Sequence, residues 1–172
     1  MNATFGTRDR LARIFFAPFA MAALSCVGVS VSAQNVTVTV QPSSYNPTGS
    51  QKCSDAQPGP SGNLKVCVDP DTYSSPSGNP GTPVTVSWKL DNTVGDTGWI
   101  FPQYQGIVID SKQNKKNSNG NNPWSVTPGS TTAYSATSTK ENGSKKYSYT
   151  VNVVKWISNV GYLLTFDPTI MN

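Results

Sequence analysis

Histidine is absent from the 172-residue chain, glutamate occurs once, at Glu141, and arginine is confined to Arg8, Arg10 and Arg13. Without imidazole there is no Ser-His-Asp or Cys-His catalytic arrangement, and no zinc site built from histidine and cysteine. Without arginine beyond position 13, the rest of the chain lacks the paired guanidinium contacts that nucleic-acid binders use on phosphates and bases. No glycine-rich phosphate loop follows a strand and opens a helix, and no Ser-x-x-Lys spacing is present. Charge is sparse at 13 % of residues, and no helix-period apolar pattern follows the first 33 residues.

The three arginines lead into an apolar run from Leu11 to Val31 that ends in Val31-Ser32-Ala33. A basic start, an apolar middle and small residues before a cut describe a secretory signal peptide over residues 1–33. Removing these 33 of 172 residues leaves 139, Gln34–Asn172, expected to form one domain. A lipoprotein-type cut at Ala23-Leu24-Ser25-Cys26, leaving Cys26 lipidated, is the minor alternative, because the apolar run continues through Val27–Val31 where a polar tether is expected. Downstream of the leader, ten lysines stand against eight acidic residues, a net charge of +2. No later segment is long enough and apolar enough to span a bilayer, so the expected location is secreted or periplasmic. In an oxidising compartment the two remaining cysteines, Cys53 and Cys67, are expected to form one disulfide.

What remains is rich in β-branched and aromatic residues divided by Pro, Gly, Asn and Ser. Pro83–Leu90 alternates Val84, Val86, Trp88 and Leu90 with polar residues, as a strand facing a core on one side does. Val36–Val40 and Tyr147–Val153 alternate in the same way. Leu64–Val68 is a strand with Leu64, Val66 and Val68 inward, which makes the Cys67 disulfide an external clasp. Further strands are expected at Ile107–Ile109, Trp124–Val126, Thr131–Thr139 and Tyr162–Phe166, the last ended by Pro168. Asn142-Gly143 is the strongest hairpin signal. The spacing predicts an all-β, antiparallel β-sandwich of about seven to eight strands.

The alternating Tyr147–Val153 strand followed by a hairpin into the last strand, together with Trp88 inside an earlier alternating strand, resembles bacterial immunoglobulin-like modules. The resemblance implies an immunoglobulin-like sandwich with Trp88 in its core. Cys53 and Cys67 both precede Trp88, so they are not the pair that flanks the core tryptophan of antibody domains.

Candidate site residues are therefore aromatic. Trp99, Tyr104 and Trp124 fall in or beside loops, where they either cap the open ends of the sandwich, the favoured reading, or offer contacts to a ligand. Trp156 and Val154 have the parity opposite to Val151 and Val153. A bulge near Val153 is expected to return Trp156 to the core; without one, Val154, Trp156 and Leu163 form an outer apolar cluster, covered by a loop or used for contact. Oxygen ligands for calcium could come from Asp69 and Asp71, or from Asp91, Asn92 and Asp96, although such residues ordinarily serve their own backbone. No catalytic residue, metal site or cofactor is expected. The sequence points to an exported, non-catalytic binding module for an unidentified protein, with a glycan-binding, lectin-like module as the alternative and a small secreted hydrolase as a third.

Overall fold

The computed structural model describes residues 32–74, 80–109, 124–139 and 146–171. The leader apart from Ser32 and Ala33, Cys26, and the Asn142-Gly143 pair lie outside the described residues. Twelve strands follow in order: β1 Ser32–Pro42, β2 Lys52–Cys53, β3 Gln57–Gly59, β4 Gly62–Asp69, β5 Thr72–Ser74, β6 Pro83–Leu90, β7 Ile107–Ile109, β8 Ser125–Ser130, β9 Ala133–Thr139, β10 Lys146–Ile157, β11 Val160–Phe166 and β12 Thr169–Met171. There is no helix among the described residues. The expectation of seven to eight strands is exceeded because β2, β3, β5 and β12 are pieces of two or three residues, too short to carry a period.

Two sheets enclose one core. The first has the order β2-β4-β1-β6-β9-β8, with β3 also on β4; the second runs β11-β10-β12-β5, with β7 also on β10. Pairing is antiparallel except for β1 with β6 and β5 with β12, which are parallel, so the sheets are not the purely antiparallel pair expected. From the first sheet Val36, Val38, Val40, Val66, Val86 and Trp88 turn inward, and from the second Tyr149, Val151, Val153 and Leu164 meet them. The Trp88 and Tyr149 rings lie 5.3 Å apart across the interior. Burial pushes the Tyr149 hydroxyl above its ordinary range. Each such side chain removed from water contributes about 1.5–3 kcal/mol, which is why the alternating segments are the ones the sequence marks.

Two further expectations are corrected. The strands on either side of Asn142-Gly143 do not pair with each other: β9 lies in the first sheet and β10 in the second. The hairpin is β10–β11, whose two corner residues Ser158 and Asn159 both take positive φ, 48° and 65°, as a type I′ turn requires. β11 ends at Phe166, ahead of Pro168, as expected, but it is not the last strand. β12 pairs with β10 in the same register as β11, and the Pro168 carbonyl accepts from the Tyr149 N–H at 3.1 Å, so the ladder passes the proline at the cost of one donor.

The disulfide joins Cys53 and Cys67, directly opposite residues of β2 and β4 with Cα atoms 4.0 Å apart. It lies on the outer face, as the alternation requires, yet Cys67 is fully buried beneath it, so it is a covered cross-strand tie rather than an external clasp. It holds the two-residue strand β2 in place. Replacing both cysteines by alanine is expected to lower unfolding stability by about 3 kcal/mol, and to abolish the effect of reductant; urea denaturation with and without a thiol checks both.

Candidate functional site

β10 is longer than the core it faces. Val151 and Val153 are buried, but the next inward position is Lys155, and the sheet there is closed by the loop after β6. Asp91 N–H donates to the Val38 carbonyl and Asp96 N–H to the Val40 carbonyl, both at 2.8 Å, which lays that loop along β1. Gly95, at φ 70°, passes so close to the Val40 carbonyl that a Cβ would sit 2.2 Å from it. The loop thereby delivers the Asp96 carboxylate to Lys155, whose Nζ lies 2.5 Å from Oδ1. Trp99 Nε1 donates to the same oxygen at 2.9 Å and Ser61 Oγ donates to Oδ2. The Lys155 ammonium is 5.8 Å from the Trp99 ring centre. Asn92 brackets the Trp99 backbone, accepting from its N–H at 3.2 Å and donating to its carbonyl at 2.9 Å.

Trp99 is therefore completely buried, and Trp124 is buried edge-on to Tyr147 with ring centres 6.0 Å apart. Both cap the open ends of the core, which removes them as surface contacts. Tyr104, at φ 66° on the tip of the loop that follows, is 73 % exposed. Trp156 is 65 % exposed, which corrects the expectation of a bulge. The β10–β11 register is unbroken from Val151 to Ile157, and the inward place at 155 is already taken by the lysine and its carboxylate. The indole lies across Gly161, its cross-strand neighbour, where a Cβ would come within 3.0 Å of the ring.

No family model matches this chain, and no curated protein or solved structure is similar to it.

The outer face of the hairpin continues into a groove of about 850 Å³. Ile100 pairs with Val154 through two backbone hydrogen bonds of 2.9 and 2.8 Å, placing the loop after it beside β10. That loop is held by the Tyr134 hydroxyl, which donates to the Pro102 carbonyl at 2.7 Å, and by Asn152 Nδ2, which donates to the Gln105 carbonyl at 2.7 Å. Ile100, Pro102, Val154, Trp156 and Leu163 supply the apolar walls. Gln103, Gln105, Ser130 and Thr131 supply neutral polar groups, and no lining residue carries a charge. The sequence signals missed were Gly161, the slot for the indole, and Lys155, an inward charge marking the end of the core.

The carboxylates proposed as oxygen ligands are already engaged. Asp71 pairs with Lys52 at 2.8 Å, Asp69 accepts from Ser50 at 2.5 Å, and Asp91 accepts from the Thr93 N–H and hydroxyl, which hold it below the usual range. Among the described residues no three of His, Cys, Asp or Glu come together as metal ligands.

Two outcomes follow from this geometry. Burial raises the Asp96 carboxyl, but the hydrogen bonds from Lys155, Ser61 and Trp99 and the lysine charge outweigh it, so it titrates below its ordinary value of 3.8. A carboxyl depressed by folding stabilises the protein fully above that value and loses the contribution as pH falls through the folded one. Asp96→Asn is therefore expected to cost about 1–3 kcal/mol at pH 7 and progressively less as the pH is lowered below the ordinary carboxylate value, measured by urea denaturation across an acid pH series. Of the four tryptophans, only Trp156 reaches solvent; iodide is expected to quench a single accessible class of fluorescence, and Trp156→Phe to abolish it.

Proposed function

We propose that this chain is an exported, non-catalytic binding module of immunoglobulin-like build that receives an uncharged, extended segment of a partner protein in the groove beside Trp156. The observation that carries this reading is the indole itself. A tryptophan 65 % exposed, with Leu163 and Val154 on the same face, leaves a contiguous apolar patch of the kind that interaction sites use, whereas scattered surface apolar residues need no explanation. The absence of charge from the groove lining favours a neutral segment, because a charged one would lose hydration there without gaining a partner. The disulfide, the basic-then-apolar leader and the lack of a membrane-spanning helix among the described residues are compatible with secretion or a periplasmic location, with the leader removed after Ala33.

The glycan-binding alternative rested on three loop aromatics, of which Trp99 and Trp124 are buried. Tyr104 and the open face of Trp156 are what remain to stack on a sugar ring. Panning a random peptide display library against the folded protein discriminates the two readings. Uncharged sequences are expected to be enriched, and to lose at least about tenfold in affinity on Trp156→Ala, a loss typical of an interface hot spot. Enriched peptides indifferent to that substitution, no enrichment at all, or a Trp156-dependent signal on a glycan array instead, would each overturn the protein-binding reading.

A further inference from the structure

The outer edge of β11 is open over two residues and closed on either side of them. The two-residue turn at Ser158-Asn159 makes Ile157 and Val160 a hydrogen-bonded pair, so Val160, Tyr162, Leu164 and Phe166 turn their backbone groups toward β10. Gly161, Leu163 and Thr165 turn theirs outward. The position of the Gln57 side chain agrees: its Nε2 donates to the Thr165 carbonyl at 2.7 Å and its Oε1 accepts from the Thr165 N–H at 2.9 Å. That amide stands where the backbone of one more strand would stand. Gly161 and Leu163 receive no such partner from any described residue; β11 pairs with β10 alone. The open stretch also lacks the lysine or proline with which edge strands ordinarily block addition, since nothing from Trp156 to Phe166 is charged.

The geometry points to a second copy of this chain as the occupant, paired antiparallel through β11 about a two-fold axis at Tyr162. This goes beyond the groove reading and does not require it. In that register Gly161 of each copy faces Leu163 of the other, and the two exchange both of their outward hydrogen bonds. The next pairing would call on Thr165, which Gln57 already occupies, and on Asn159 in the turn, so the added ladder ends where the open groups end. Side chains match as well. Leu163 projects beside the partner's Gly161, the slot over which the partner's Trp156 lies, so each exposed leucine meets an exposed indole. A two-fold contact sets a strand against itself, so any charge in it would face its own like. This strand carries none, and the neighbouring Lys155 is tied to Asp96 on the other face of the sheet.

Sedimentation velocity of the wild-type protein from about 1 µM to about 1 mM is expected to show a reversible monomer–dimer equilibrium within that range. Amide exchange is expected to show protection of Gly161 and Leu163 that rises with concentration, while Thr165 is protected throughout. Leu163→Lys, at a side chain 60 % exposed, is expected to leave folding unchanged and weaken dimerisation at least about tenfold. Leu163→Pro removes a donor that points outward and is expected to do the same. A protein monomeric throughout, a dimer as tight in both variants as in the wild type, or exchange at Gly161 and Leu163 independent of concentration would each overturn the inference. Should either variant fail to fold, the wild-type exchange measurement decides alone.

Discussion

β10 is twelve residues long and pleated without interruption, and this one constraint sets the rest of the site. A strand that alternates without a bulge has no freedom to choose which side its residues take. Tyr147, Tyr149, Val151 and Val153 use the inward side while there is core to fill. Past Val153 the core ends but the alternation does not, so Lys155 points inward and Val154 and Trp156 point out. Everything distinctive about this end of the molecule is a response to that mismatch of lengths.

The inward response is electrostatic. A lone ammonium at position 155 would be held at a poorly hydrated place, and the loop after β6 answers it with the Asp96 carboxylate, itself supported by Ser61 and by the buried Trp99 indole. The side chains of Lys155 and Asp96 retain only 19 % and 14 % exposure, so desolvation works against the pair; the direct contact and the two added donors are what turn the balance. The loop reaches that position through close backbone passage at Gly95, which ties the first sheet to the far end of the second. The outward response is different in kind. No described loop lies over the indole of Trp156, and it gains cover by lying across Gly161.

Much of this was legible in the residues and some was not. Pro83–Leu90 is a strand with the bounds its alternation marks, and Val36, Val38, Val40, Tyr147, Tyr149, Val151 and Val153 are core, because burying one face of a strand imposes a period of two that survives any strand order. The turn signals were weaker guides. Asn142-Gly143 suits a hairpin locally, yet β9 and β10 enter different sheets, since which sheet a strand joins is decided by long-range packing that local φ preferences do not encode. Pro168 marks the end of β11 but not of the ladder, because a proline costs one donor and a neighbouring register already held by seven residue pairs absorbs that loss. At the site, parity correctly set Trp156 apart from Val151 and Val153. The bulge expected to rescue it underweighted Lys155, whose inward place shows that no apolar slot was left there. Burial of Trp99 depends on Asp96 and the distant Lys155, and that of Trp124 on the distant Tyr147, and a loop position alone does not reveal them.

An open, uncharged edge beside an exposed tryptophan would ordinarily be an aggregation hazard, and unlimited strand addition is what edge protection opposes. Here the hazard is confined by two features that do not involve charge. Gln57 satisfies both outward groups of Thr165 with a side-chain amide, and the turn at Ser158-Asn159 bends the chain away after Gly161. Between them only Gly161 and Leu163 stay available, too short a run to template a growing sheet but long enough for one reciprocal pairing. A two-fold axis at Tyr162 consumes both residues on both copies and leaves no open group at either end, so association through this edge closes on itself. Because that axis is perpendicular to the sheet, the two outer faces point the same way, and the pair would present its two grooves side by side on one surface.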